Sequence, residues 1–401
     1  MAETEGNASL KRKINSEGSF EVYGFGYNGF KQLGGHIFEG DQEPPQNSSY
    51  CISKSSLLYP LALNVPRVSS IVASWSSTVF VKENGTVQTM GWIPGAKEGG
   101  EVENLLPDYF VTDACCSWRR LAFLTSDGEC VLWSDYTNGQ SHLRKVEASN
   151  RKFKAAGCLE SSCILLSGKH FFCTDDGQAG YVLHEQDQNA TKDLNISASM
   201  IFRPMDLMKQ MISVACGKEH ALLLSSSGEV YSLGNGSRGQ LGRGLIVEEQ
   251  NAAVIPALEG IKIQFIAAGG WHSAAVSECG DLYMWGWNET GQLGLSVNHD
   301  DTDDDRQTAT SGKVPCQTFP VPMDLPGDLD VMTVSCGSRH TAAIAGDGSV
   351  WTWGWGHYGQ LGHGDTVSKY TPSQVHFFSS LKHKAKTLCC GDWSTFVIAA
   401  K

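Results

Sequence analysis

The chain is 401 residues long, 41% hydrophobic and 18% charged, with a formal net charge of −12 at pH 7. That charge opposes indiscriminate nucleic-acid binding, because phosphate contacts need clustered Lys and Arg, and it points instead to protein partners or basic tails. No apolar run of about 18 residues and no basic-then-apolar leader occurs, so neither a membrane span nor a secretory signal is expected, and thirteen cysteines without a signal argue for a reducing compartment.

Residues Met1 to Ser19 are polar and are expected to form a disordered tail. Lys11, Arg12 and Lys13 are its one compact basic run, a candidate nuclear-import or phosphate-touching element set against the plainer reading of a solvated tail. Glu21-Val22-Tyr23-Gly24 and Gln32-Leu33-Gly34 then read as the second half of a repeat that lacks its first half.

A repeat frame follows. Ser74 to Gly85, Ser117 to Gly128 and Gly157 to Gly168 share an eleven-residue spacing with apolar strands between, such as Val79-Phe80-Val81. The frame is clearest from Ile212 onward. Gly-x-x-His elements begin at Gly217, Gly269 and Gly337. Each leads through a turn glycine (Gly228, Gly280, Gly348) into a strand such as Val230-Tyr231-Ser232-Leu233-Gly234, and then into Gly-Gln-Leu-Gly at Gly239, Gly291 and Gly359. A last copy starts at Gly391, and the strand it needs as partner would lie beyond Lys401. Self-similarity at roughly 50 residues marks a solenoid, propeller or array. The simplest geometry is an all-β, seven-bladed β-propeller over residues 20–401, its ring closed by the N-terminal strand pairing with the C-terminal blade, which removes exposed sheet edges. Trp285 and Trp287, Trp351 and Trp353, and Trp353 and Trp355 recur with period two, which places both rings of a pair on one strand face for packing between blades.

Two insertions break the period. Thr174 to Phe202 is long, polar and rich in Gln and Asn. Ser296 to Pro315 carries Asp300, Asp301, Asp303, Asp304 and Asp305. Arg306 stands where a calcium loop needs glycine, so a solvated acidic loop or a dock for a basic partner is expected.

The chemical motifs have plainer explanations. Gly24-x-Gly26-x-x-Gly29 and its copies at Gly234 and Gly354 match a dinucleotide fingerprint, but each leads into another turn rather than a helix, so strand turns are expected. His220, His272 and His340 share one repeat position and cannot converge on one metal, so they read as structural. No cofactor is expected. Cys116, Cys216, Cys336 and Cys390 also share a position and read as small core residues, without zinc-site spacing. Met200, Met205, Met208 and Met211 crowd together, yet Pro204-Met205-Asp206-Leu207 repeats as Pro322-Met323-Asp324-Leu325, which favours core packing. No nucleophile elbow stands out.

Cys336-Gly337-Ser338-Arg339-His340-Thr341-Ala342 and the stretch Trp353 to Gly362 resemble the repeats of the regulator of chromosome condensation family, as do Ala268 to Ser273 and Gly24 to Phe30. The resemblance covers about residues 20 to 401, is weakest between Gly91 and Phe202, and is nearest to a short, almost tail-less branch of the family. It implies a non-enzymatic, monomeric scaffold in the nucleus or on chromosomes. Such a scaffold would partner a Jumonji-C oxygenase, and in some cases histones or chromatin, in chromatin regulation, chromosome segregation and microtubule stability, without sequence-specific DNA contact. The alternative it implies is a guanine-nucleotide exchange factor, for which Thr174 to Phe202 is the one wedge candidate. A light-sensing role fits poorly, because the signature Gly-Trp-Arg-His-Thr of plant relatives is absent. Regular positions must serve packing, so recognition is expected on the insertions, with Lys192 and Arg203 as the side chains suited to an oxygenase.

Overall fold

The computed structural model describes residues 20–34, 55–93, 100–117, 119–136, 140–146, 152–160, 162–167, 170–175, 178–180, 209–295 and 315–400. Among them, seven four-stranded antiparallel sheets account for nearly all regular structure. We number the blades by their inner strands: Val68–Ala73, Val111–Cys116, Ala155–Cys158, Met211–Cys216, Ile263–Ala268, Val331–Cys336 and Lys384–Cys390. Each inner strand packs beside the next, and that of blade 7 also lies against that of blade 1.

Blade 7 joins the two ends of the chain. Its strand order from the axis is Lys384–Cys390, Ser394–Ala400, Phe20–Tyr27 and Ser56–Leu63. Phe20–Tyr27 pairs along its whole length with Ser394–Ala400, placing Phe20 opposite Ala400 and Gly26 opposite Ser394. Val22, Tyr23 and Phe25 are buried there. Full burial of an apolar side chain such as Val22 or Phe25 stabilises by about 1.5–3 kcal/mol, and Tyr23 buries its ring while its hydroxyl donates to Glu21.

The second strand of each blade lies between neighbouring blades, which explains its composition. Strand His220–Ser225 is buried at every position, so both faces need apolar or internally bonded side chains rather than an alternating pattern. Between blades 4 and 5, for example, Leu222, Leu224, Val230, Ile255, Leu258 and Trp285 form one apolar cluster.

The structure corrects three details of the sequence frame. First, blade 3 is offset. Its inner turn closes through Leu159 N–H to the Ser162 carbonyl at 2.8 Å, so Leu159, not Gly157, stands at the turn position, and Cys158 joins the shared cysteine position. Second, the irregular segment starts later than Thr174. His170–Asp175 and Gln178–Gly180 are the outer strands of blade 3. Third, Trp285 and Trp287 do not share one environment. Pairing shifts between Met284 and Gly286, where Gly286 has φ +99°, and this bulge sends Trp287 out to the blade's end while Trp285 stays fully buried. Met211 and Met323 are buried as expected, whereas Met200, Met205 and Met208 lie outside the described residues.

The pairing of Phe20–Tyr27 gives a direct test. Removing residues 1–30 takes out one strand of blade 7, with its pairings to both neighbours and the buried Val22, Tyr23 and Phe25, and should lower Tm by more than about 10 °C. Removing residues 1–17 should lower it by less than about 2 °C. Differential scanning calorimetry of the two truncations decides, and equal melting would mean the first strand adds nothing to blade 7.

Candidate functional site

The recurrent polar motifs join blade to blade. In blades 4, 5 and 6 the imidazole Nε2 of His220, His272 and His340 lies 2.8, 2.9 and 3.0 Å from the hydroxyl of Ser273, Thr341 and Thr395 in the following blade. Those hydroxyls donate onward to the carbonyls of Gln240, Gln292 and Gln360 at 2.9, 2.7 and 2.8 Å. A hydroxyl that donates its one proton must accept from Nε2–H, which fixes the neutral Nε2–H tautomer. Trp285 and Trp353 add their indole N–H to the carbonyls of Gln240 and Gln292, both at 2.9 Å.

The flanking residues follow from this arrangement. A Cβ at Gly217, Gly269 or Gly337 would come within 2.4, 2.6 or 2.2 Å of an atom of the blade's own imidazole, so only glycine leaves room for the ring. The glutamine side chain caps its own turn: Oε1 of Gln240, Gln292 and Gln360 accepts from the backbone N–H of Arg238, Thr290 and Tyr358. The following leucine is buried, and glycines on both sides take positive φ. Of the fingerprint-like glycines, Gly26, Gly234 and Gly354 take positive φ at strand bulges, and Gly239 and Gly359 take it in turns. Gly24, Gly29, Gly236 and Gly356 do not, and are instead positions where a Cβ would meet a neighbour within 2.9 Å. Burial pushes His220, His272 and His340 down to about 3.

With the repeated motifs committed to packing, the face carrying the inner turns remains. A cavity of about 440 Å³ opens on the axis there, lined by Trp75, Glu160, Lys218, Ser338, Asp392 and Trp393 among others. Lys218 Nζ reaches both Glu160 and Asp392 at 3.8 Å, and Ser338 donates to Asp392. Backbone bonds stitch this rim from blade to blade, as Glu160 N–H to the Lys218 carbonyl and Ser338 N–H to the Asp392 carbonyl, both 3.1 Å. Cys116, Cys158, Cys216, Cys336 and Cys390 line the cavity wall. This modifies the reading of that position as core: Cys116 and Cys216 are partly exposed to the axis. Cys158 touches Cys115 and Cys163 at 3.3 and 3.2 Å, and burial with these neighbours holds its thiol well above the usual range, which disfavours the reactive thiolate. Among the described residues, no group of three or more His, Cys, Asp or Glu is placed to hold a metal ion.

Aromatic rings form an arc across the same face. Trp271 and Trp287 meet edge to face at 5.5 Å, Trp355 and Trp393 at 4.7 Å, and Phe30 and Trp75 at 5.4 Å, with Tyr27 and Tyr358 between them. No single motif announces this arc, since it draws on blades 5, 6, 7 and 1. The available signal was the third residue of the inner turn, which is Trp271, Arg339 or Trp393. The residues expected to carry recognition from sequence, namely Lys11, Arg12, Lys13, Lys192, Arg203, Asp300, Asp301, Asp303, Asp304 and Asp305, lie outside the described residues.

The regulator of chromosome condensation (RCC1) repeat matches residues 227–276, 279–344 and 347–398, and a second form of the same repeat matches 211–240, 263–292 and 333–360. RCC1 domain-containing protein 1 of Homo sapiens is 40% identical over 222 residues, 50% of this chain and 59% of that protein. The chain thus spans little more than half of that relative's length. Among solved structures, human WBSCR16 superposes with a TM-score of 0.75 at 16% identity, covering 96% of this chain and 99% of that one. Prp20p from Saccharomyces cerevisiae, described by its binding to Gsp1p and histones, gives 0.71 at 18% identity over 97% and 93%. These likenesses establish an all-β propeller of RCC1 type.

The buried histidines set a pH dependence. Their folded values lie below the ordinary value near 6.5, so the unfolded chain binds more protons between about pH 3 and 6.5. The stability contributed by the neutral rings is complete above pH 6.5 and is lost as pH falls toward 3. Replacing His272 with Gln should reduce proton uptake on unfolding at pH 5 by about one. The slope of unfolding free energy against pH measures this, and an unchanged slope would mean that His272 is already protonated in the fold.

Proposed function

We propose that this chain, an all-β propeller carrying RCC1 repeats, closes its seven sheets into one rigid ring and acts as a non-enzymatic scaffold in the nucleus or on chromosomes. Its partner on this reading is a Jumonji-C oxygenase, with roles in chromatin regulation, chromosome segregation and microtubule stability. The observation that carries the scaffold reading is the use of the repeated His, Ser/Thr, Gln and Trp residues in blade-to-blade bonds. Groups held in this way, with imidazoles buried and neutral, are poorly placed for proton transfer to a substrate. Recognition then falls to the segments that interrupt the repeat and to the exposed end of the propeller.

The similarity to human RCC1 domain-containing protein 1 supports the scaffold reading over half of this chain. The likeness to Prp20p, described by histone binding, supports the chromatin setting. Within this proposal, residues 181–202 with Lys192, together with Arg203, meet the oxygenase. Asp300 to Asp305 serve a separate basic surface whose affinity falls with salt. Lys11, Arg12 and Lys13 serve nuclear import.

Pull-down of a Jumonji-C oxygenase from nuclear extract tests the assignment. Replacing residues 181–202 with a short Gly-Ser linker, leaving the blade 3 strands intact, should abolish capture, and replacing 296–314 should not. Full capture by both variants would move the contact to the propeller face. Capture of a nucleotide-free small GTPase, with accelerated nucleotide release, would favour exchange activity instead.

A further inference from the structure

Two guanidinium groups on the cavity-bearing face stand out because, among the described residues, they lack the carboxylate partners that Lys218 has there. Lys218 is held between Glu160 and Asp392, whereas Arg238 and Arg339 have no carboxylate within ion-pair distance among the described residues. Both instead lie against indoles. Arg238 sits 4.4 Å from the ring centroids of Trp271 and of Trp287, and Arg339 sits 4.6 Å from Trp287. Three blades contribute: Arg238 from the outer turn of blade 4, the two tryptophans from blade 5, and Arg339 from the inner turn of blade 6. Trp287 N–H bonds the Trp271 carbonyl at 2.8 Å, and the Arg339 carbonyl accepts Trp355 N–H at 2.8 Å, so the backbones under the patch are fixed. Nη1 of Arg238 is shielded from water and has no acceptor.

Stacking on an indole orients a guanidinium and leaves part of its N–H edge available for bidentate pairing with a carboxylate. Because both cations lie against the same ring, they stand no more than about 9 Å apart. An extended chain places residues i and i+2 roughly 6.6 Å apart on one side, which falls within that limit. We infer that Arg238, Arg339 and the Trp271–Trp287 pair form a docking site for an extended acidic segment of a partner protein, with two carboxylates at alternate positions. Nucleic acid fits less well. Its affinity rests on several phosphate contacts, and here two unpaired cations sit on a chain of net charge −12. The indole faces that bases would need are also covered by the guanidinium groups. The inference does not depend on the partner being an oxygenase.

The test uses the full-length protein and a fluorescein-labelled octapeptide alternating glutamate and serine, followed by fluorescence anisotropy at low salt. Wild type should bind, and binding should weaken as salt rises through about 0.15 M. The double variant R238Q/R339Q should bind at least about tenfold more weakly, and Tyr358→Ala, elsewhere in the aromatic arc, should bind as wild type does. In a protein whose residues 296–314 are replaced by a Gly-Ser linker, so that the acidic run cannot capture the peptide, R238E/R339E should bind an octapeptide alternating lysine and serine more tightly than its two-arginine parent does, a gain that misfolding cannot produce. Equal binding by wild type and R238Q/R339Q, or tighter binding of labelled oligothymidylate than of the acidic peptide, would overturn the inference. So would concentration-dependent self-association abolished by R238Q/R339Q, which would assign the patch to a second copy of this chain.

Discussion

The hydrogen bond from a buried, neutral imidazole to a hydroxyl of the next blade constrains the rest of the structure. His272 can reach Thr341 only because Gly269 leaves the ring its space, and Thr341 is the acceptor in that bond because its one proton is donated to the Gln292 carbonyl. That carbonyl is aimed by a turn whose glycines take positive φ and whose glutamine caps it. One relay thereby accounts for the glycine, the histidine, the Ser or Thr after it, the glutamine and the tryptophan of the repeat. It orders consecutive blades directionally, from blade 4 to blade 7, where an apolar cluster alone would tolerate sliding.

The relay also explains where the repeat decays. Ser394 occupies the histidine position of blade 7 and is too short to reach blade 1, so its hydroxyl and that of Thr78 are both left without partners. Blades 1 to 3 carry Ser77, Arg120 and Ser162 at that position and lean on apolar packing, as in the cluster of Leu121, Phe123, Val79 and Val81. In blades 1 to 3 the turn glycine is absent along with the histidine, and Ser74, Ser117 and Leu159 stand in its place, whereas blade 7 lacks the histidine but keeps Gly391. Such positions can vary without disturbing the packing between blades, because apolar contacts tolerate exchange where a hydrogen-bonded relay does not.

Much of the fold was legible because glycine and histidine obey strict spatial rules. The period, the turns at Gly228, Gly280 and Gly348, and the orphan first strand could all be read from spacing. Blade 3 misled because Gly157 happens to lie near the expected position, while the turn itself is closed by Leu159, a residue with no turn signature. Trp287 misled because a bulge at Gly286 interrupts the alternation on which period-two reasoning depends. The arginine–tryptophan patch was illegible for a different reason. Arg238, Trp271, Trp287 and Arg339 are spread over a hundred residues and meet only when three blades stand side by side.

A double-mutant cycle between His272→Ala and Thr341→Val, measured by chemical denaturation at pH 7, tests the relay most directly. If the bond couples blades 5 and 6, the two substitutions together should cost about 1–2 kcal/mol less than the sum of their separate effects. Strict additivity, within about 0.5 kcal/mol, would contradict the account and leave the repeated histidine as mere filling between blades.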